Sequence, residues 1–182
     1  ILLGMLIEKD SEGLINDTLI VRTADHGEMC LAHDRQREKP FNAYEEVLRV
    51  PLIISNPNLF PKAVSTDSFA TTLDIVPTLA KFAGVYDLFQ FAFQGCDLTP
   101  LFTNPHQEVR DAIHFAFDDG TLPPRFFKTI PRRIRTIRTK EWKYSVYFND
   151  EGTNYEYEMY DLVNDPLEKT NVAGKPEYLE KF

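Results

Sequence analysis

The chain has 182 residues, of which 43% are hydrophobic and 13% aromatic, enough apolar surface for a packed core. Its 28 acidic and 20 basic residues give a formal net charge of −8. This charge argues against broad binding to nucleic acid or to anionic membranes, since both need a positive field. No apolar run approaches the roughly 20 residues that a membrane-spanning helix requires.

The first half of the chain alternates between helix-like and strand-like runs. Residues 2–9 have the periodicity of the end of an amphipathic helix, and residues 18–23 predict a strand buried on both faces of a parallel sheet. Residues 27–39 are polar without a period, which predicts a long loop. A short helix over residues 43–48 and a second buried strand over residues 50–54 follow.

A longer helix is predicted where apolar residues recur at helical spacing, namely at Leu73, Val76, Leu79, Ala80 and Ala83. Ser68 is a possible N-terminal cap, and Gly84 is placed to end the helix. Pro77 is expected to kink it or to mark a restart. The alternation of strands and helices up to about residue 105 predicts a layered α/β fold.

Beyond residue 105 the sequence predicts four strands separated by polar turns. They cover residues 113–117, 133–139, 142–148 and 155–161. Such a series predicts an antiparallel meander. The expected division is therefore an α/β domain over residues 1–105 and a small antiparallel β subdomain over residues 106–182, which ends with the start of a C-terminal helix.

A candidate metal site follows the first predicted strand. Asp25, His26 and Gly27 come directly after it, and in an open α/β sheet ligands gather beyond the carboxyl ends of the strands. Aspartate supplies oxygen ligands, histidine supplies a nitrogen ligand, and glycine lets the backbone turn tightly beside a ligand. The alternative is a strand-end turn held by an Asx-type hydrogen bond.

Five motifs occur in order along nearly the whole chain. They are TADHGE over residues 23–28 with His33 and Lys39, YEEVLRVPLII over 44–54, TLDIVPTL over 72–79 with Gly84, GCDLTPL over 95–101, and YDLVNDPLE over 160–168 with Asn171. With these motifs the chain closely resembles the C-terminal part of the sulfatases, in the alkaline phosphatase superfamily. The resemblance implies an alkaline phosphatase-like α/β sheet followed by a small antiparallel β subdomain.

The resemblance also implies roles for the polar residues of the first motif. Asp25 and His26 match the family's second pair of metal ligands, and the first pair would be aspartates upstream of this chain. Lys39 matches the lysine that contacts the sulfate, where its charge would balance negative charge on the transferred group. His33 matches a histidine that hydrogen-bonds the ester or protonates the leaving group, with a surface role as the alternative. Glu28 is expected to support the metal site without coordinating the ion.

The family's nucleophile is a formylglycine made from the cysteine or serine of a C/S-x-P-x-R motif. This chain contains no such motif, and neither Cys30 nor Cys96 lies in a similar context. Both cysteines are therefore expected to be packing residues. The nucleophile is expected upstream, in a longer protein, and the chain by itself is expected to be inactive.

The leading interpretation is that the full protein hydrolyses the sulfate ester of a small molecule or a glycan. The resemblance implies Ca²⁺, which suits carboxylate ligands. The imidazole of His26 leaves Mn²⁺ or Zn²⁺ open, and with them a phosphodiester or phosphonate monoester hydrolase of the same superfamily. A third interpretation is that the chain is a non-catalytic scaffold. Oligomeric state and compartment stay open.

A basic run in the second half has two interpretations. It consists of Arg132, Arg133, Arg135, Arg138, Lys140 and Lys143. These side chains either bind distal anionic groups of a substrate or form a solvated strand face.

Overall fold

The computed structural model describes residues 10–39, 41–89, 92–118 and 131–181, so the helix predicted over residues 2–9 lies outside them. The helices are α1 (Ala32–Arg35), α2 (Glu45–Leu48), α3 (Ile75–Phe82), α4 (Tyr86–Phe89) and α5 (Pro100–Thr103), with 3₁₀ turns at Ile15–Asp17, Thr72–Asp74 and Pro176–Lys181. The strands are β1 (Ile20–Thr23), β2 (Leu52–Ser55), β3 (Ile113–Asp118), β4 (Arg133–Arg138), β5 (Trp142–Phe148) and β6 (Tyr155–Asp161). The mixture of helices and strands confirms the α/β class. In this part of the chain, every helix is too short or too polar to cross a membrane.

The described residues form two compact units. One lies within Ile1–Asp25 and Val50–Val109, and the other within His26–Arg49 and Arg110–Phe182. Residues 26–49, which the sequence assigned to the first domain, therefore cluster with the second unit. The reason is that Ala43 is buried in a core with Ile134 and Tyr147 of the second unit. A long-range contact of this kind leaves no local pattern in the sequence.

The two strands of the first unit lie where the sequence predicted them, but the parallel sheet predicted around β1 is wrong for its pairing with β2. β1 and β2 are antiparallel, with Ile20 opposite Ser55 and Thr23 opposite Leu52. Ile53 of β2 is 52% exposed, so the strand is not buried on both faces in this structure. An apolar run indicates a strand but contains no information about the direction of its partner.

A buried aspartate ties the start of α3 to the loop before α5. Asp74 is fully buried, and its carboxylate accepts the N–H of Thr71 at 2.7 Å and that of Cys96 at 2.7 Å. The Thr78 hydroxyl donates to the Asp74 carbonyl oxygen at 2.6 Å and accepts the Leu98 N–H at 2.9 Å. The motifs around residues 72–79 and 95–101 thus form one hydrogen-bonded structure within the first unit.

The ends of α3 differ in part from the prediction. Thr71 and Asp74 form the capping box, whereas Ser68 accepts the N–H of Val109 at 3.4 Å. Pro77 lies in the first turn of α3, where its missing N–H has no intrahelical acceptor to lose, so no kink results. Gly84 follows the helix with φ of +72°, as predicted for a glycine that ends a helix.

The second unit is built on the predicted antiparallel meander. Its sheet has the order β3-β4-β5-β6, with every neighbouring pair antiparallel. Alternate residues face opposite sides, so Ile134 and its cross-strand partner Tyr147 point to the same face. That face packs against Ala43, which comes shortly before α2, and against Leu48 of α2.

The last sequence motif has a structural explanation. Asp161 accepts the N–H groups of Val163 and Asn164, each at 3.1 Å, and so closes the turn after β6. Asp165 accepts those of Lys169 and Thr170 in the next turn. Asn171 then accepts the Met159 N–H at 3.0 Å and returns the chain to β6. The carboxylates and amides of this motif satisfy backbone donors that the turns would otherwise leave unpaired.

Candidate functional site

The polar loop that carries the candidate site residues approaches α2 very closely. The Gly27 N–H donates to the Val47 carbonyl at 2.8 Å. A Cβ on Gly27 would lie 1.9 Å from the carbonyl oxygen of Glu46, so only glycine fits here without a backbone shift. The glycine of the Asp-His-Gly sequence is therefore explained by the contact with α2, a reason that the sequence did not reveal.

His26 and Lys39 meet in the second unit, although 13 positions separate them in the chain. The Lys39 Nζ is hydrogen-bonded to His26 Nε2, and His26 Nδ1 is 2.8 Å from the Gly27 carbonyl oxygen. An ammonium group has no lone pair and can only donate, so Nε2 accepts and Nδ1–H donates. These partners assign one tautomer to the ring, with the lone pair on Nε2.

This tautomer is the one that a metal-ligating histidine needs. Such a ring donates one N–H to a protein oxygen and offers the lone pair of its other nitrogen to the ion. In this structure the Nε2 lone pair already faces a cation, the Lys39 ammonium. The tautomer of His26, with its lone pair on Nε2, therefore fits a ligand of a divalent cation. Asp25, the adjacent predicted ligand, is exposed and belongs to the other unit.

His33 lies in the same loop but is held in a different environment. Its ring stacks on Tyr44 with centroids 3.7 Å apart, and its Nε2 lies 3.3 Å from a Glu46 carboxylate oxygen. Its side chain is only 12% exposed, which does not fit the alternative of a purely surface histidine. Tyr44 and Glu46 thus fix the orientation of the imidazole.

The loop around His33 has an irregular backbone. Seven non-glycine residues have positive φ, namely Cys30, Leu31, His33, Asp34, Arg35, Glu38 and Phe41. Such conformations are disfavoured for side chains with a Cβ, so contacts outside the loop must hold it. Glu28 contributes locally, because its carboxylate accepts the N–H of the buried Met29 at 3.0 Å. A role of Glu28 in supporting a metal ion stays a prediction.

A buried charge cluster beneath α2 was not predicted. Lys143 and Glu168 have side chains only 1% exposed and form an ion pair. The Lys143 ammonium donates to the Ala43 carbonyl at 2.6 Å, and Glu168 accepts the Glu45 N–H at 2.8 Å. Burial raises the pKa of Glu168, and the charge of Lys143 partly offsets that effect. The two charges therefore hold the start of α2 on the sheet.

Three acidic or histidine side chains near this cluster lie close enough to be considered as metal ligands. Donor atoms of His33, Glu46 and Glu168 lie within 4.8 Å of one another. However, the Glu168 carboxylate already binds Lys143 and the Glu45 N–H, and His33 already faces Glu46. The arrangement therefore fits an internal hydrogen-bonded network better than a cation site.

The basic run of the second half is neutralised by neighbouring carboxylates. Arg132 is buried and pairs with Asp150, and Arg138 lies 3.3 Å from Glu45. Arg135 lies 2.9 Å from Asp118. Together with the buried Lys143, these pairs contradict a continuous basic cleft among them. The pairs of Arg132, Arg135 and Arg138 with their carboxylates are structural ion pairs of the sheet and its loops.

The two cysteines are both free thiols. Cys30 is exposed, which contradicts its predicted packing role, whereas Cys96 is partly buried beside the Asp74 network. Cys30 lies in the loop with the irregular backbone, where its own φ is +48°.

Comparison with known proteins identifies the family. Residues 37–181 match the family described as N-sulphoglucosamine sulphohydrolase, C-terminal. An ulvan-active sulfatase of Formosa agariphila is 31% identical over 97% of this chain and 33% of its own length. The chain thus spans about a third of this relative.

Solved structures give the same result. A structure in complex with its substrate D-glucosamine-2-N,6-O-disulfate matches with a TM-score of 0.79 and 30% identity over 98% of this chain and 34% of that chain. A phosphonate monoester hydrolase of Agrobacterium radiobacter matches with a TM-score of 0.75 and 27% identity over 98% of this chain and 35% of that chain. The likeness covers both units and confirms the sulfatase-like α/β fold. The chain belongs to the sulfatase family of hydrolases and matches its C-terminal part.

Proposed function

We propose that the full protein hydrolyses sulfate esters and that this chain supplies His26, Lys39 and Asp25 to the catalytic site. The observation that carries the proposal is the hydrogen bond between Lys39 Nζ and His26 Nε2. It places the positively charged Lys39 ammonium next to an imidazole whose tautomer suits a metal ligand, in a chain of the sulfatase family. Both groups suit a sulfate ester, because negative charge grows on its oxygens as the ester bond breaks.

Asp25 and His26 would hold a divalent cation, for which we propose Ca²⁺, with Mn²⁺ or Zn²⁺ as the alternatives. Support comes from the Nδ1–H of His26, which donates to the Gly27 carbonyl and leaves Nε2 as the ligand atom. When bound, such an ion supplies Lewis-acid stabilisation of the charged oxygens. Glu28 would steady this part of the loop through its bond to the Met29 N–H.

Lys39 would contact the sulfate oxygens through its ammonium group. One lone pair serves one cation, so Lys39 and a metal ion compete for Nε2 of His26. Lys39→Met is therefore expected to abolish turnover of an aryl sulfate by the full protein while the bound metal is kept or bound more tightly. Asp25→Ala is expected to lose both the metal and the turnover.

Metal analysis and aryl sulfate kinetics on the two variants test these roles, with Lys169→Ala as a control for an exposed lysine of the same unit. Full metal content in Asp25→Ala would show that this residue is structural. Unchanged turnover in Lys39→Met would remove Lys39 from the site.

His33 would donate a proton to the leaving oxygen or hydrogen-bond the ester. Its ring is oriented by Tyr44 and Glu46, as such a role requires. A positioning role is tested by Glu46→Gln, which keeps the size of the side chain but removes its charge. If His33 acts on the leaving group, this variant loses more activity on esters with poor leaving groups than on activated aryl esters.

The similarity to a phosphonate monoester hydrolase supports a second candidate activity, on phosphodiesters or phosphonate monoesters. It is the weaker of the two, since the disulfated glucosamine complex has the higher TM-score and identity. Parallel kcat/KM measurements of the full protein on an aryl sulfate, an aryl phosphodiester and an aryl phosphonate decide between them. Higher efficiency on either phosphorus ester would overturn the sulfatase proposal.

The 182 residues by themselves are expected to be inactive, because they contain no C/S-x-P-x-R sequence. An assay of the isolated chain with an aryl sulfate tests this directly, and multiple turnovers would contradict it. A non-catalytic scaffold role would instead be supported if the full protein also failed to turn over sulfates and phosphorus esters.

For the substrate we propose a sulfated saccharide, as the names of the ulvan-active relative and the disulfated glucosamine complex suggest.

A further inference from the structure

A cavity of about 450 Å³ lies in the second unit beside Tyr44. Asn42, Tyr147, Glu156 and Glu158 form part of its wall. The Tyr44 ring contributes to that wall and also stacks on His33 at 3.7 Å. The cavity therefore begins one aromatic ring away from the candidate proton donor. Its volume lies within the range of about 300–1,000 Å³ that is typical of small-molecule sites.

The wall of this cavity has an acidic character. Its described residues include two glutamates and neither lysine nor arginine. Burial, followed by the negative charge of Glu158, raises the pKa of Tyr147. A sulfate, carboxylate or phosphate group placed here would face like charge without a cation to balance it. The wall therefore disfavours any part of a substrate that carries negative charge.

Two wall residues offer complementary hydrogen-bonding groups. Glu158 accepts the Tyr147 hydroxyl at 2.6 Å, and Tyr147 in turn accepts the Ala43 N–H at 3.2 Å, so this side of the wall is fixed in place. Asn42 is only 8% exposed, and its Nδ2 has no hydrogen-bond partner among the residues that the structure describes. A wall that contains carboxylate acceptors and an amide donor suits a ligand rich in hydroxyl groups, which both donate and accept.

We propose that this cavity binds a neutral, hydroxyl-bearing sugar ring of the substrate, next to the ring that carries the sulfate ester. The inference rests on the proposed sulfatase function and adds a specificity to it. A saccharide whose neighbouring ring is unsulfated is accepted, and one that carries a second anionic group on that ring is rejected. Glu156, which is exposed on β6, contributes the acceptor that is easiest to alter without disturbing the core.

Ligand-observed NMR on the full protein tests the proposal, with a pool of methyl glycosides of common neutral hexoses, deoxyhexoses and N-acetylhexosamines and a second pool of their O-sulfated forms. In the presence of excess inorganic sulfate, at least one neutral glycoside is expected to bind more tightly than its sulfated form. Glu156→Gln is expected to weaken this binding about tenfold, as for the loss of one hydrogen bond to a charged group. Glu151→Gln, an exposed glutamate of the same unit outside the cavity wall, is the matched control and should leave the binding unchanged.

The proposal is overturned if no neutral glycoside binds, if the sulfated forms bind equally well, or if Glu156→Gln and Glu151→Gln behave alike. Aryl sulfate turnover by the wild-type protein is measured in parallel and does not depend on the cavity. Absent turnover with intact glycoside binding would remove the sulfatase proposal alone. Normal turnover with no glycoside binding would remove the cavity proposal alone.

Discussion

Replacing Gly27 by alanine is the sharpest test of how the loop and α2 build the site. The added Cβ would lie 1.9 Å from the carbonyl oxygen of Glu46, about 1.5 Å short of ordinary van der Waals contact near 3.4 Å. Because the neighbouring atom belongs to the backbone, relief requires the loop or α2 to move. Overpacking of this kind costs about 1–3 kcal/mol, and loss of the Gly27 N–H bond to Val47 adds about 1 kcal/mol.

The shift also displaces His26, whose Nδ1 is bonded to the carbonyl of Gly27 itself. A misplacement of about 1 Å in a catalytic group can lower the rate about 100-fold. In the full protein, Gly27→Ala is therefore expected to lower the free energy of unfolding by about 2–4 kcal/mol. Its kcat on an aryl sulfate is expected to fall by about two orders of magnitude, with weaker metal binding.

Gly174→Ala is the matched control. Gly174 lies in the same unit with φ of +75°, and a Cβ there would meet nothing within 4 Å. Its left-handed backbone alone should cost about 1–2 kcal/mol, without any effect on the catalytic groups. Urea denaturation, metal analysis and kcat are measured for both variants. Equal losses of activity in the two, or normal kcat in Gly27→Ala, would refute the positioning argument.

Three further predictions concern stability. Asp74→Ala removes two charge-assisted bonds from the buried carboxylate to backbone N–H groups and should lower the unfolding free energy by about 3–5 kcal/mol in urea denaturation, whereas a loss below about 1 kcal/mol would contradict this role. Lys143→Met leaves the buried Glu168 unpaired and should cost about 3–5 kcal/mol, much of which a second change, Glu168→Gln, should restore. Arg135 lowers the pKa of Asp118, so this carboxylate stabilises the fold above its ordinary pKa near 4, and the effect is lost as the pH falls through the lowered value. Asp118→Asn should therefore weaken the dependence of the melting temperature on pH below about pH 4. An unchanged pH dependence in this variant would argue against a stabilising ion pair between Asp118 and Arg135.

Local patterns in the sequence were sufficient for most of the secondary structure. The four strands of the meander and α3 with its terminal Gly84 occur where periodicity and turn residues predicted them. Two kinds of feature were beyond such patterns. The direction of β1 depends on its partner β2, and the membership of residues 26–49 in the second unit depends on contacts with strands about 90 positions later.

The roles of the candidate site residues stay a prediction, and the geometry of these residues follows from the sequence only in part. The motif placed His26, His33 and Lys39 in one loop, and the structure joins His26 to Lys39 while it turns His33 towards Glu46. Neither partner choice follows from spacing, because the backbone of this loop has positive φ at several residues with a Cβ. The sequence also missed Lys143, whose burial becomes visible only when the strands are assembled.

The last motif of the chain supports the first through a short series of contacts. Glu168 accepts the backbone N–H of Glu45 and pairs with Lys143, which binds the carbonyl oxygen of Ala43. These bonds fix the start of α2, and the next residue, Glu46, faces both Gly27 and His33. In this chain the residues after β6 therefore hold in place the start of α2, against which the loop with the candidate site residues packs.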